Sequence, residues 1–131
     1  MERRVVNPWT WQEQQGYEQA VEVTGGERTL YCAGQVSVDA EGNPLHEGDL
    51  TAQALQAIDN LETVLQEGGY ELADVVRLNY YVTDINAFIG ADPALGERLG
   101  KAGCRAAGTL LGVARLGFPQ LLVEVEATAV R

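Results

Sequence analysis

The strongest constraint on the fold is an amphipathic helical pattern that runs from about Asp49 to Glu67. Asp49 is a suitable N-cap residue, and Gly68-Gly69 ends the pattern as helix C-termini commonly end. The apolar residues recur every three or four positions and share one face: Leu50, Ala54, Ala57, Ile58, Leu61 and Leu65. The sequence therefore predicts one long helix with a single buried face.

Strand patterns lie on both sides of this helix. The turn Thr24-Gly25-Gly26-Glu27 predicts that the first two strands form a hairpin. The last strand alternates most clearly, with Val123 and Val125 on one face and Glu124 and Glu126 on the other. Strands are predicted over Glu18–Val23, Arg28–Ala33, Gln35–Asp39, Asp74–Thr83, Gly108–Leu116 and Leu121–Val130.

A second, shorter helix is predicted from Asp92 to about Lys101. Asp92 would be its N-cap and Pro93 its first helical residue, while Gly96 and Gly100 weaken it. The resulting order of elements predicts an α+β fold with two helices on one face of a mostly antiparallel or mixed sheet. The other face carries Leu, Tyr and Val as well as charge, so we expect it to meet other subunits.

Composition narrows the function. A length of 131 residues predicts a single domain over residues 1–131. The net charge of -10 disfavours nucleic acid and anionic membranes as partners. The sequence has neither an apolar span of membrane length nor a signal-peptide core, which predicts a cytoplasmic protein. Cys32 and Cys104 are isolated from each other and are predicted to be buried, reduced thiols.

Few reactive side chains remain. Ser37 and His46 flank a turn without a nucleophile elbow, and His46 is predicted to lie in a solvated loop. No phosphate-binding glycine loop is present, so no nucleotide cofactor is expected. Acid–base chemistry by carboxylates, tyrosines and backbone groups remains. Glu124 and Glu126 form either a solvated strand face or a cleft with a reactive carboxylate, and the pattern alone leaves both open.

Several segments, taken in order and spacing across nearly the whole chain, resemble the Rid family (RidA/YjgF type, also called L-PSP endoribonuclease-like). That resemblance implies a chorismate-mutase-like α+β fold and a homotrimer with three clefts between neighbouring subunits. It also implies hydrolysis of enamines and imines to a ketoacid and ammonia, without cofactor or metal. The matching segments are Leu30–Gln35, Asp39–Gly42, Gln53, Asn60-Leu61, Val64-Leu65, Asp74–Arg77, Tyr81–Asp84 and the terminal hairpin of Val113–Leu116 with Val123–Ala129.

The family's site residues carry over only in part. The resemblance places Glu124 at the cleft glutamate that holds a water, Tyr17 at an aromatic that lines the cleft, and Thr109 at the small hydroxyl residue after the arginine. Ala33 stands at the family's serine, directly before Gly34. These correspondences imply a conserved cleft with an altered lining.

Two further positions depart from the family. Asp92 stands at the cleft asparagine, and Gly108 stands at the arginine that binds the substrate carboxylate. Arg105, three residues upstream, would point to the opposite face about 10 Å away if the strand already extends there. If the strand begins later, a loop could bring Arg105 inward, so both outcomes stay open. Loss of the arginine removes roughly 1.5–3 kcal/mol, or about ten- to hundredfold in binding.

Two functions follow from this comparison. The first is an enzyme that binds a small imine, enamine or related metabolite without the usual α-carboxylate and transforms it by hydrolytic deamination or by dehydration. In this case Glu124 is the acid–base or water-positioning residue, and Tyr17 and Thr109 orient the ligand. Deaminase activity on standard 2-imino acids is expected to be weak. The second is a non-catalytic trimer that binds a metabolite or a protein in the same cleft. Ribonuclease activity is disfavoured by the net charge of -10.

Overall fold

The computed structural model describes all 131 residues and contains seven strands and two α-helices. Short 3-10 turns cover Trp11–Gln15 and Leu72–Asp74. The strands and helices are β1 (Glu2–Val6), β2 (Ala20–Thr24), β3 (Thr29–Tyr31), β4 (Gln35–Val36), α1 (Leu50–Glu67), β5 (Val75–Val82), α2 (Ile85–Lys101), β6 (Leu110–Gly112) and β7 (Val123–Val130).

A five-stranded mixed sheet is the centre of the fold. Its order is β3-β7-β5-β6, and the short β4 also pairs with β7. β7 runs antiparallel to β3, β4 and β5, whereas β6 runs parallel to β5. The predicted α+β class with a mixed sheet is therefore confirmed.

The predicted hairpin at Thr24–Glu27 is wrong. β2 pairs with β1 in a separate two-stranded sheet, where Val5 lies opposite Val21. β3 pairs instead with β7, where Leu30 lies opposite Ala129. The charged segment at the start of the chain did not look like a strand, yet it occupies the edge of β2 that the hairpin would have used.

The strand predicted over Gly108–Leu116 is present but shorter, and its predicted terminal hairpin with the last strand is wrong. β6 covers only Leu110–Gly112 and lies beside β5, where Leu111 is opposite Tyr81. Parallel neighbours need a crossover, and α2 supplies it between β5 and β6. In this βαβ unit, the segment that leads from α2 into β6 lies beside α2.

Helix α1 forms as predicted. The Asp49 side chain accepts a hydrogen bond from the Ala52 N–H at 3.0 Å, which satisfies one free donor of the first turn. The apolar stripe is buried except for Leu50, which packs at the edge of the core. On β7, the predicted alternation is confirmed, because Val123 and Val125 are fully buried and Glu124 and Glu126 are not.

Helix α2 begins eight residues earlier than predicted. Asp84 is its N-cap and accepts from the Ala87 N–H at 3.1 Å, while Asp92 and Pro93 lie inside the helix. Proline lacks the N–H that an interior helical position normally donates, so the Asp-Pro pair looked like a helix start. The helix continues through it because a buried stripe packs against the sheet and α1: Phe88, Ala91, Leu95 and Leu99.

Candidate functional site

A cleft of about 460 Å³ opens between α2, the segment before β2 and the segment that leads into β6. Four residues predicted from the sequence line it: Tyr17, Asp92, Gly108 and Thr109. The other lining residues are Gln15, Tyr80, Phe88, Ile89 and Leu110. The structure thus brings together residues that are up to 95 positions apart along the chain.

The walls of the cleft are aromatic. The rings of Tyr80 and Phe88 pack with centroids 5.1 Å apart. Tyr17 packs against Trp11 in a T-shaped arrangement, with ring centroids 6.3 Å apart. Burial raises the pKa of Tyr80 far above its usual range, so its phenol stays neutral. Sequence reasoning missed Tyr80 and Phe88, although the Tyr-rich strand and the corrected helix would have indicated them.

Asp92 is the charged residue of the cleft lining. It lies one helical turn after Phe88, so both side chains project from the same side of α2. Burial raises the pKa of Asp92, and no hydrogen bond or neighbouring cation offsets that effect. The carboxylate is therefore an unpaired acceptor inside an aromatic cleft.

Thr109 is fixed to the central sheet by two hydrogen bonds. Its hydroxyl accepts from Arg77 Nη2 at 3.3 Å, and its N–H donates to Asn79 Oδ1 at 3.1 Å. Arg77 and Asn79 project from the face of β5 that the helices leave uncovered, because they pair with Thr128 and Glu126. The position of Thr109 therefore depends on side chains from the opposite face of the sheet.

Gly108 lies against the backbone of β5. A Cβ atom at this position would be 1.8 Å from the Leu78 carbonyl oxygen. Hydrogen bonds on both sides hold the segment there: Leu78 N–H to Ala107 O and Tyr80 N–H to Thr109 O, each 2.9 Å. The glycine does not have a positive φ, so close packing rather than backbone conformation demands it.

Arg105 does not line the cleft. Its guanidinium binds Glu18, with Nε and Nη2 at 2.8 and 2.7 Å from the same carboxylate oxygen. The other oxygen of Glu18 accepts from Asn7 Nδ2. The Glu18 side chain is only 8% exposed, whereas that of Arg105 is 64% exposed. This geometry gives Arg105 a structural role, joining the end of α2 to the segment before β2.

We expect Arg105→Ala to lower the free energy of unfolding by about 1–3 kcal/mol, because it leaves the buried Glu18 carboxylate without its cation. Urea unfolding at a fixed protein concentration measures this change. Arg115→Ala is the matched control, since Arg115 bonds only the neighbouring Leu116 carbonyl. Equal stability of the two variants would contradict the structural role of Arg105.

Glu124 lies away from this cleft, together with Ala33 and Gly34. It projects from the uncovered face of β7, opposite Val36 of β4 and Tyr81 of β5. A Cβ atom on Gly34 would be 1.9 Å from Glu124 Oε1. The Glu124 carboxylate therefore occupies the space that a side chain at residue 34 would fill. The predicted site residues therefore form two groups on different parts of one chain.

The two glutamates of β7 differ in their partners. Glu126 accepts hydrogen bonds from the Tyr81 hydroxyl and from Asn79 Nδ2, and these lower its pKa. Burial raises the pKa of Glu124, and the charge of Glu126 raises it further. Glu126 is thus a bonded structural anion, and Glu124 is the free carboxylate. The strand pattern alone could not separate them, because the difference comes from the neighbouring strand.

Other reactive groups do not form a site. No three His, Cys, Asp or Glu side chains are placed to hold a metal ion. Cys32 and Cys104 are buried and unpaired as predicted, and burial raises the pKa of Cys104 to about 11. His46 is exposed in its loop, as predicted. No helix has both the length and the apolar character needed to cross a bilayer.

The mixed sheet, with both helices on one face, defines an α+β protein of the chorismate-mutase-like class. The family model described as Endoribonuclease L-PSP matches residues 11–131, and the chain belongs to this family. A RutC family protein of Pyrococcus abyssi is 32% identical over 113 residues, which cover 86% of this chain and 84% of the relative. These matches confirm the resemblance seen in the sequence.

Two further relatives connect the chain to Rid proteins. The crystal structure of YyfB, a protein of the conserved Rid family from Yersinia pestis, is 40% identical over 100% of both chains, with a TM-score of 0.89. The mouse 2-iminobutanoate/2-iminopropanoate deaminase is 36% identical over 72 residues, which cover 55% of this chain and 51% of the mouse protein. The family thus includes imine deaminases.

Proposed function

We propose that this protein binds and hydrolyses a small imine or enamine that lacks the usual α-carboxylate. The observation that carries the proposal is the lining of the cleft, which contains aromatic side chains and Asp92 but no lysine or arginine. A carboxylate substrate would find no partner there and would meet a like charge. The names of the imine deaminases in the family support the reaction class.

The proposed site is shared between subunits of a homotrimer. One subunit supplies Tyr17, Asp92 and Thr109, and its neighbour supplies Gly34 and Glu124. Two observations support this arrangement: the two groups do not meet within one chain, and the uncovered side of the molecule exposes large apolar residues. Among these, Tyr31 is 80% exposed and Leu111 46% exposed. Within this proposal the 131 residues act as one cytoplasmic domain, without cofactor, nucleic acid or membrane partner.

The proposed reaction needs one carboxylate and one water. Glu124 takes a proton from water as the oxygen adds to the carbon of the protonated imine, which gives a carbinolamine. Glu124 returns that proton to the nitrogen and then takes the hydroxyl proton as the C–N bond breaks, so that a carbonyl compound and ammonia leave. A carboxyl whose pKa is raised by burial is suited to transfer the proton in both directions. Tyr17 and Thr109 orient the substrate on the opposite wall.

An assay coupled to an amino-acid oxidase tests this proposal. We expect hydrolysis of 2-iminopropionate to be about ten- to hundredfold less efficient than with the mouse deaminase, because the arginine is absent. An open-chain imine without a carboxylate should be hydrolysed more efficiently than 2-iminopropionate. Acceleration of 2-iminopropionate equal to that of the mouse enzyme would contradict the role given to Gly108.

A second candidate is a non-catalytic trimer that binds a metabolite or protein in the same cleft. The missing arginine favours it, because a family member without the substrate-binding group can retain the cleft and lose the reaction. It predicts that Glu124→Gln leaves the biological role intact. Loss of that role in a folded, trimeric variant would exclude this candidate.

A further inference from the structure

We infer that the cleft selects an organic cation, a protonated imine or amine without a carboxylate, and that Asp92 is the counter-charge that binds it. The inference rests on the proposed function and deepens it, because it names the charge of the ligand. It also makes Asp92, which stands where the family has a cleft asparagine, a residue that determines which ligand binds.

The first argument is the inventory of cations around the cleft. Arg105 binds Glu18, and Arg77 binds Thr109 from the opposite face of the sheet. On α2 itself, Arg98 pairs with Glu62 and Lys101 with Glu97, each at 2.9 Å. Each of these four cations therefore has another partner, and no lysine or arginine lines the cleft. The charge of Asp92 is left for a ligand.

The second argument is the chemistry of the walls. Tyr17, Tyr80 and Phe88 present aromatic rings in the same cleft as Asp92. Aromatic faces attract organic cations, by about 0.5–2 kcal/mol depending on solvent exposure. They give no comparable attraction to an anion. An acidic group among aromatic rings is the arrangement with which proteins recognise alkylammonium ions.

The third argument is the cost of leaving Asp92 alone. Burial makes the ionised carboxylate less favourable than it is in water, and no group in the chain compensates. A bound cation supplies that compensation. The volume of about 460 Å³ is sufficient for a small ring or a short-chain amine. In the proposed trimer, Glu124 of a neighbouring subunit would add a second negative charge.

Three ring compounds of similar size test the inference by calorimetry: pyrrolidinium, neutral cyclopentanol and anionic cyclopentanecarboxylate. We expect pyrrolidinium to bind about ten- to hundredfold more tightly than the other two. Asp92→Asn should remove this preference. Glu97→Gln is the matched control, because it removes the same charge from the exposed side of the same helix and should leave the preference unchanged.

The test separates this inference from the proposed reaction, because it measures binding without turnover. Preference for pyrrolidinium that depends on Asp92, in a protein that hydrolyses no imine, would support the cation site and overturn the hydrolase. Binding of the three rings with equal affinity would overturn the cation site even if imines are hydrolysed. Tighter binding of cyclopentanecarboxylate, or an unchanged preference in Asp92→Asn, would also overturn it.

Discussion

Glu124→Gln is expected to lower imine hydrolysis by about 100-fold or more while the fold and the assembly are retained. The amide keeps the size of the side chain but cannot take a proton from water. Stability at neutral pH should not fall, because burial already makes the ionised Glu124 less favourable in the folded chain than in the unfolded one. Single-turnover kinetics and urea unfolding of the same preparation measure both effects.

Gly34→Ala tests the position of that carboxylate without changing its chemistry. The new Cβ would lie 1.9 Å from Glu124 Oε1, so the flexible end of Glu124 has to withdraw by roughly 1.5 Å to reach normal contact. A displacement of about 1 Å at a reacting group can reduce the rate about 100-fold. Gly117→Ala is the control, since its Cβ would meet nothing within 4 Å. Full activity of Gly34→Ala would show that the carboxylate does not act from this place.

Mixing of subunits extends the same experiment to the proposed trimer. Glu124→Gln removes one half of the site, and a Tyr17→Ala/Thr109→Ala double variant removes the other. Random mixed trimers would then join an intact half from each variant at about a quarter of the interfaces. Recovery of about a quarter of the original activity supports a shared site. No recovery from two folded, trimeric variants would contradict it.

Local patterns in the sequence were sufficient for the elements that local interactions determine. The helix beginning after Asp49 and the alternation of Val123 and Val125 depend on spacing within one segment, and both are confirmed. Apart from the start of α2, where the Asp92-Pro93 pair was misleading, the errors concern pairings between distant segments. β2 pairs with β1 at the start of the chain, and β6 pairs with β5, from which α2 separates it in the sequence. No turn signal in the sequence could indicate either pairing.

The site shows the same division. Resemblance to the family identified four of the residues that line the cleft, because residue types and their order can be compared from the sequence alone. It could not reveal that Arg105 is bound by Glu18, 87 positions away, or that Tyr81 and Asn79 bind Glu126. Those contacts exist only after the sheet and the segment before β2 are in place. They determine which charged side chains are already paired and which can still bind a ligand.

Gly108→Arg is expected to weaken the fold and to leave 2-iminopropionate hydrolysis low. Any Cβ at this position would be 1.8 Å from the Leu78 carbonyl oxygen, which belongs to the backbone of β5 and cannot rotate away. The segment would have to leave the strand, with loss of the hydrogen bonds at Ala107 and Thr109. Forced overpacking of this kind typically costs about 1–3 kcal/mol. An arginine therefore cannot be introduced at this position without disturbing the packing of the segment against β5.

Gly108→Ala separates the steric effect from the charge. It should lose nearly as much stability as the arginine variant, since the first added carbon already makes the contact, whereas Gly117→Ala should lose almost none. Urea midpoints of the three variants, at one protein concentration, decide this. If Gly108→Arg were as stable as the parent and hydrolysed 2-iminopropionate like the mouse enzyme, the close contact with Leu78 would be easily released. If both variants lose stability together, packing of the segment against β5 excludes any side chain at residue 108, an arginine included.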